Sequence, residues 1–327
     1  MPSAVPLVRV VRSGLEESVH LGHVAVCDAD GRLLAAVGDP LRLVFARSSM
    51  KPLQAALSIR LMPATLADDL IAVACGSHNA EPDHVLAVRR LLRAGGAVES
   101  MLRCPEALPS RTEDAIRAGK ARRIFYNCSG KHAAMLAACL GAGWPTETYL
   151  EPGHPLQREI LQAVRWATGV QGPAIGVDGC GVPVHGVPLS AMATLFARLT
   201  RPERLGGLEP TASRAVAAMR AHPFLVAGTG RTDTELMASV PGIVSKVGAE
   251  ALHCAAVLGE GIGVAVKIAD GGDRAAGSAL VHALSQIGAI GEEELGRLSS
   301  VARPAVLGGG RRVGGMVAEF RLRRPRA

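Results

Sequence analysis

Strand-like segments lie at the two ends of the chain and helix-periodic segments fill the middle, and this ordering narrows the open folds more than any other feature. Near the start, residues 20–27 and 32–38 are apolar runs flanking Asp28-Ala29-Asp30-Gly31, whose Asp-Gly pair marks a hairpin turn. Near the end, 242–248 and 261–268 read as strands. Asp270-Gly271-Gly272 then turns the chain into a helix over 277–287, and a late strand falls near 313–320. Between these, helical spacing recurs from Ser48 and over 84–94, 112–122, 133–140, 157–167, 189–199 and 212–221. Thr112 is the expected cap of its helix, and Gly141 with Gly143 the expected stop of the 133–140 helix. Strands from both ends are most economically joined into one antiparallel sheet with helices packed on it, an α/β chain of the α+β kind. No repeat or low-complexity linker interrupts the pattern, so a single domain over 1–327 is expected, with an embedded helical part at about 50–240.

Hydrophobic residues make up 48% of the chain and charged ones 20%, which is ample material for a core. Aromatics are only 3%, so Ala, Val and Leu must fill that core. The net charge of +7 is spread along the chain, and the one cluster is Arg321-Leu322-Arg323-Arg324-Pro325-Arg326. With few aromatic stacking residues and no recognition signature, no nucleic-acid partner is expected. Seven cysteines in irregular positions argue against a disulfide framework and for a reducing compartment. The first residues lack a basic region followed by an apolar run, and no apolar stretch is long enough to span a bilayer. A cytoplasmic location without membrane contact is the expectation.

The chemistry starts at Arg47-Ser48-Ser49-Met50-Lys51-Pro52, a strand end running into a helix mouth. Pro52 belongs in a first helical turn, and Ser48 and Lys51 then sit three apart on one face. A serine hydroxyl is inert until a neighbour takes its proton, and an amine does so when burial or nearby cations lower its pKa. This S-x-x-K spacing is that of penicillin-recognising serine enzymes, although an isolated match reads more often as an N-cap serine beside a solvated lysine. Gly130-Lys131 does not complete a phosphate-binding loop, because Phe125 and His132 stand where glycine and Ser or Thr are needed. Gly308 to Gly310 lacks the dinucleotide spacing.

What remains are short polar motifs at wide separation: Cys75-Gly76-Ser77-His78-Asn79, Asn127-Cys128-Ser129-Gly130-Lys131-His132, Val177-Asp178-Gly179-Cys180-Gly181-Val182-Pro183, Ser245-Lys246-Val247-Gly248 and Val266-Lys267-Ile268-Ala269-Asp270-Gly271. Together with the Ser48 stretch, and in this order, they closely resemble the bacterial L-asparaginase II family of the Rhizobium type. The likeness runs from about Gly14 to Gly315. It implies a serine β-lactamase/glutaminase-like fold and an amidohydrolase converting L-asparagine to L-aspartate and ammonia through an acyl-enzyme. It also implies two serine-lysine tandems, Ser48 with Lys51 and Ser77 with Lys246. Which serine is the nucleophile stays open at this point.

Cys128 and Lys131 are i and i+3 at a helix mouth, and Cys180 lies in a glycine-rich loop able to reach them. By their chemistry alone the cysteines read as buried structural residues. The resemblance implies zinc held by Cys128, Lys131 and Cys180. Asp178 is the candidate for the substrate α-ammonium. Arg47 is either a contact for the α-carboxylate or a structural arginine, and His78 joins them as a candidate substrate-binding residue. A homodimer acting on small-molecule L-asparagine is expected. A glutaminase or penicillin-type acyl transferase is the alternative on the same fold, and a non-catalytic zinc-binding regulatory module the alternative of another class.

Overall fold

The computed structural model describes residues 3–62 and 65–325. Met1, Pro2 and Arg326, on which the readings of the first residues and the basic tail partly rest, lie outside them. The chain divides into two compact units. The first comprises Met1–Ser49, Val187–Arg201 and Glu235–Ala327, the second Met50–Gly186 and Pro202–Thr234.

The first unit is built on an eight-stranded sheet drawn from both chain ends, as the strand pattern predicts. Its order is Ala305–Gly308, Arg311–Ala318, Val5–Arg12, Leu15–Asp28, Ile262–Ile268, Leu252–Val257 and Ile243–Gly248, with Leu33–Val37 also beside Leu15–Asp28. Every pairing is antiparallel. Side chains alternate across a strand, so each strand serves both faces of the sheet. Val24, Val26, Val264, Val266 and Ile268 join Ala276, Leu280 and Leu284 of the helix Asp273–Gln286 in one core. On the other face, Cys27 is hydrogen-bonded to Thr194 of the helix Leu189–Leu199. There a Cβ on Gly263 would lie 1.9 Å from the Ala193 carbonyl oxygen. Small residues let this helix approach the sheet, which is how a core poor in aromatics closes.

The strand Leu252–Val257 is not apparent in the sequence pattern. All six of its residues are buried, so no polar alternation marks it.

The second unit is mostly helical. The helix Ser129–Ala142 is buried on all sides from Ser129 to Cys139 and packs against Lys51–Leu61, Asp68–Ala74 and Pro82–Ala94. Gly130 makes this possible, since a Cβ there would meet the Val73 carbonyl oxygen at 2.2 Å. The helix runs through Gly141 and ends only at Gly143, which is left-handed at φ 68°. Thr112 does not cap its helix: Arg111 occupies the cap, without a side-chain bond, and left-handed Gly119 stops the helix at Ala118 instead of Arg122. The small-residue loop expected over 176–183 is partly a hairpin, with Ala174–Val177 paired antiparallel to Pro183–Pro188. Among the described residues no helix is long and apolar enough to cross a membrane.

Candidate active site

Lys51 opens the helix Lys51–Leu61, with Pro52 in the first turn where its missing N–H costs nothing. Its side chain is fully buried. Nζ lies 2.5 Å from the Gly76 carbonyl oxygen, 2.8 Å from Ser77 Oγ and 3.4 Å from the Asn127 carbonyl oxygen. The two carbonyls only accept, so they take two N–H bonds. In the neutral amine the remaining lone pair is left for Ser77, whose O–H then donates. Burial lowers the Lys51 pKa, and the Lys131 charge works in the same direction against the raising effect of the cysteines. Lys51, expected to partner Ser48, is thus hydrogen-bonded to the other serine.

Ser77 follows the helix Asp68–Ala74 on a loop tied down along its length. Ser77 N–H donates to the Val226 carbonyl, His78 N–H to that of Asn127 and Asn79 N–H to that of Ala227. Ala80 is held at φ 59°, uncommon for a residue with a side chain. His78, expected to touch substrate, is instead fully buried with both ring nitrogens engaged. Nδ1 accepts from the Ala80 N–H at 3.1 Å. Nε2 therefore carries the proton and donates to Ser129 Oγ at 3.0 Å, while Ser129 donates to the Ile124 carbonyl at 2.8 Å. Burial pushes the His78 pKa well down, consistent with that neutral tautomer.

Cys128, Lys131, Cys180 and Asp178 form a second polar cluster in the same unit. Lys131 Nζ donates to Cys180 Sγ at 3.0 Å, and its distance to the Asp178 carboxylate is 4.0 Å. Cys128 shares a hydrogen bond with Cys180, which lowers the Cys180 pKa to about 5 against the opposing effect of burial, with help from Lys131. The same bond and burial push Cys128 up to about 12. Burial works against the charge on Lys131, yet Cys180, Cys128 and Asp178 together raise its pKa above the ordinary amine value.

Among the described residues no three His, Cys, Asp or Glu side chains are arranged to hold a metal ion. Cys128 and Cys180 offer two soft sulfurs of the kind zinc takes, with Lys131 Nζ 3.0 Å from Cys180 Sγ.

Arg47, Ser48 and Lys246 belong to the first unit. Arg47 and Ser48 are half-buried in the 3-10 turn Arg47–Met50, and Arg47 holds a left-handed φ of 46°. Lys246 is fully buried in the strand Ile243–Gly248. Its Nζ donates to the Val247 carbonyl at 2.9 Å, and its own carbonyl accepts from Ser49 Oγ at 3.0 Å.

Sequence reasoning did not single out Glu81, whose buried carboxylate accepts from Thr229 N–H at 2.8 Å, Thr229 Oγ1 at 2.7 Å, Asn79 Nδ2 at 3.2 Å and Arg111 Nη1 at 3.1 Å. The turn Gly228-Thr229-Gly230 was the available signal for it.

Residues 8–318 match the family model of L-asparaginase II. No curated protein matches the sequence. Solved structures similar to this chain include native Mglu, at 15% identity over 82% of this chain and 65% of that one, with a TM-score of 0.40. Others are a β-lactamase from Mycobacterium bovis, at 16% identity over 81% of this chain and 94% of that one with a TM-score of 0.43, and a probable glutaminase from Bacillus subtilis complexed with 6-diazo-5-oxo-L-norleucine, at 11% identity over 81% and 83% with a TM-score of 0.38. At these TM-scores the likenesses are loose. The chain spans 65% of the length of Mglu.

Proposed function

The chain belongs to the L-asparaginase II family, and on that premise we propose that this amidohydrolase converts L-asparagine to L-aspartate and ammonia through a serine-lysine acyl-enzyme. The observation that carries the reading is Lys51: a fully buried amine with a lowered pKa, 2.8 Å from a serine hydroxyl. Burial of this kind moves an amine toward the neutral form in which it acts as a base.

In this reading Ser48 Oγ attacks the side-chain amide carbon and its proton passes to Lys51. The C–N bond breaks as that proton moves through Ser77 to the leaving nitrogen, releasing ammonia and leaving an ester. Water then opens the ester to give L-aspartate and free serine. Lys246 completes the catalytic set as the second amine. Asp178 receives the substrate α-ammonium and Arg47 its α-carboxylate. His78 serves by holding the Ser77 loop against Ser129.

A second reading exchanges the serines, and the 2.8 Å bond between Lys51 and Ser77 favours it. Peptide mapping of a trapped acyl-enzyme decides, since the acyl group sits on Ser48 in the first reading and on Ser77 in the second.

Cys128, Lys131 and Cys180 are the residues that would hold zinc. When bound, the ion supplies a fixed positive charge that keeps its donors deprotonated. The chain's own residues then order the 178–183 turn and present Asp178.

The protein is proposed to work as a cytoplasmic homodimer, which sedimentation of the purified protein checks. The central experiment is ammonia release from L-asparagine and L-glutamine side by side, with zinc measured on the same preparation. Turnover of asparagine is expected. Turnover of glutamine alone makes the protein a glutaminase, and turnover of neither overturns the amidase reading.

A further inference from the structure

Arg231 sits on a loop stitched to the one that carries Ser77. The loop is shaped by Gly228 and Gly230 at φ 117° and 72°, and the Arg231 N–H closes a turn onto the Gly228 carbonyl. A Cβ on Gly228 would lie 2.6 Å from Glu81 Oε1 and 2.7 Å from Asn79 Nδ2, so the loop is pressed against these two side chains. Just before it, the Val226 and Ala227 carbonyls accept from the Ser77 and Asn79 N–H groups.

The charges in this network are unevenly matched. Glu81 is saturated by four donors and its charge is met by Arg111. Asn79 spends its Nδ2 on Glu81 and the Thr229 carbonyl, and turns Oδ1 to Arg231 Nη1 at 3.2 Å. The half-buried Arg231 guanidinium is therefore positioned by a neutral amide. Among the described residues no carboxylate is ion-paired with it. A guanidinium has five donors in a planar fork that matches a carboxylate, and a partly desolvated cation without a counter-ion gains most from meeting one.

We propose that Arg231, oriented by Asn79, is a specificity-determining residue that receives the α-carboxylate of the amino-acid amide acted on at Ser77 and Lys51. The inference rests on the amidase reading and narrows it: the preferred substrates are amides bearing a free α-carboxylate.

The test compares L-asparagine with 3-aminopropanamide, the same molecule without its α-carboxylate, in wild-type protein and in Arg231→Gln and Arg231→Lys. Arg231→Gln is expected to melt with wild-type cooperativity. It should raise KM for asparagine roughly 10–100-fold with kcat changed less than threefold, the loss that one charge-assisted contact supplies. The inhibition constant of 3-aminopropanamide against asparagine turnover should stay within twofold, and Arg231→Lys should recover part of the KM. Equal weakening of both molecules marks a merely structural residue and overturns the proposal, as does an unchanged KM. If wild-type protein hydrolyses no amide, the amidase reading fails on its own, and calorimetry with L-aspartate takes over. Binding lost in Arg231→Gln then supports the proposal, whereas binding retained there, or absent from wild-type protein, overturns it.

Discussion

Lys51 and Lys131 are both fully buried, and their helices, Lys51–Leu61 and Ser129–Ala142, pack against each other. Their pKa values nevertheless move in opposite directions. Around Lys51 stand two carbonyls, the Ser77 hydroxyl and Cys128, and although the cysteines raise its pKa, burial outweighs them and lowers it. Around Lys131 stand Cys180, Cys128 and Asp178, and together they override burial and raise it. Burial depth alone does not decide whether an interior amine is a base or a cation. The first neighbours decide it.

The sharpest way to break this comparison is Lys51→Met, which keeps the buried volume and removes the amine. Turnover of asparagine should fall roughly 10²–10⁴-fold, with the thermal transition retained. A loss below tenfold would mean that Lys51 is not the base.

Next comes Cys180→Ala in metal-free protein, which takes the thiolate from Lys131. Breaking a buried ion pair from one side should cost about 3 kcal/mol in urea denaturation, and adding Lys131→Met should recover much of that loss. The same variant should lose zinc from the purified protein. A single-variant cost under about 1 kcal/mol would show that Lys131 carries no charge in the fold.

His185 supplies the control in which burial acts alone. Its pKa is lowered to about 4, with no charged neighbour contributing. At high pH the ring is neutral whether folded or unfolded. As pH falls below about 6.5 the unfolded chain takes up the proton first, so stability is lost down to about 4 and levels off below it. The contribution should be about 3 kcal/mol, and a His185→Leu variant should flatten that part of the stability-pH curve.

The smallest effect is expected from Glu81→Gln, which keeps the shape and removes the charge opposite Arg111. A loss of about 1–2 kcal/mol is expected, together with faster amide exchange at Ser77 and Asn79, whose N–H groups bond the segment that Glu81 holds. Unchanged exchange would show that the Ser77 loop is held without it.

Periodicity made the helices legible wherever one face stays wet. The 157–167 pattern became Pro155–Thr168, with Arg158 and Trp166 exposed. It failed for Leu252–Val257, which is buried on both faces, and it cannot locate a cap such as the one misread at Thr112. In the site, residue types and motif order brought forward Lys51, Ser77, Cys128, Lys131, Cys180 and Asp178. They passed over Glu81 and Arg231, whose partners come from distant segments.

The sequence by itself determined the α/β class, the sheet drawn from both ends and the family, because local period and ordered motifs are properties of the chain as written. Tertiary structure alone decided that Lys51 meets Ser77, that His78 is sealed inside, and that one buried lysine is pushed toward the amine and the other toward the ammonium. Those outcomes depend on which groups lie within a few ångströms once the water is gone, and spacing along the chain does not encode that distance.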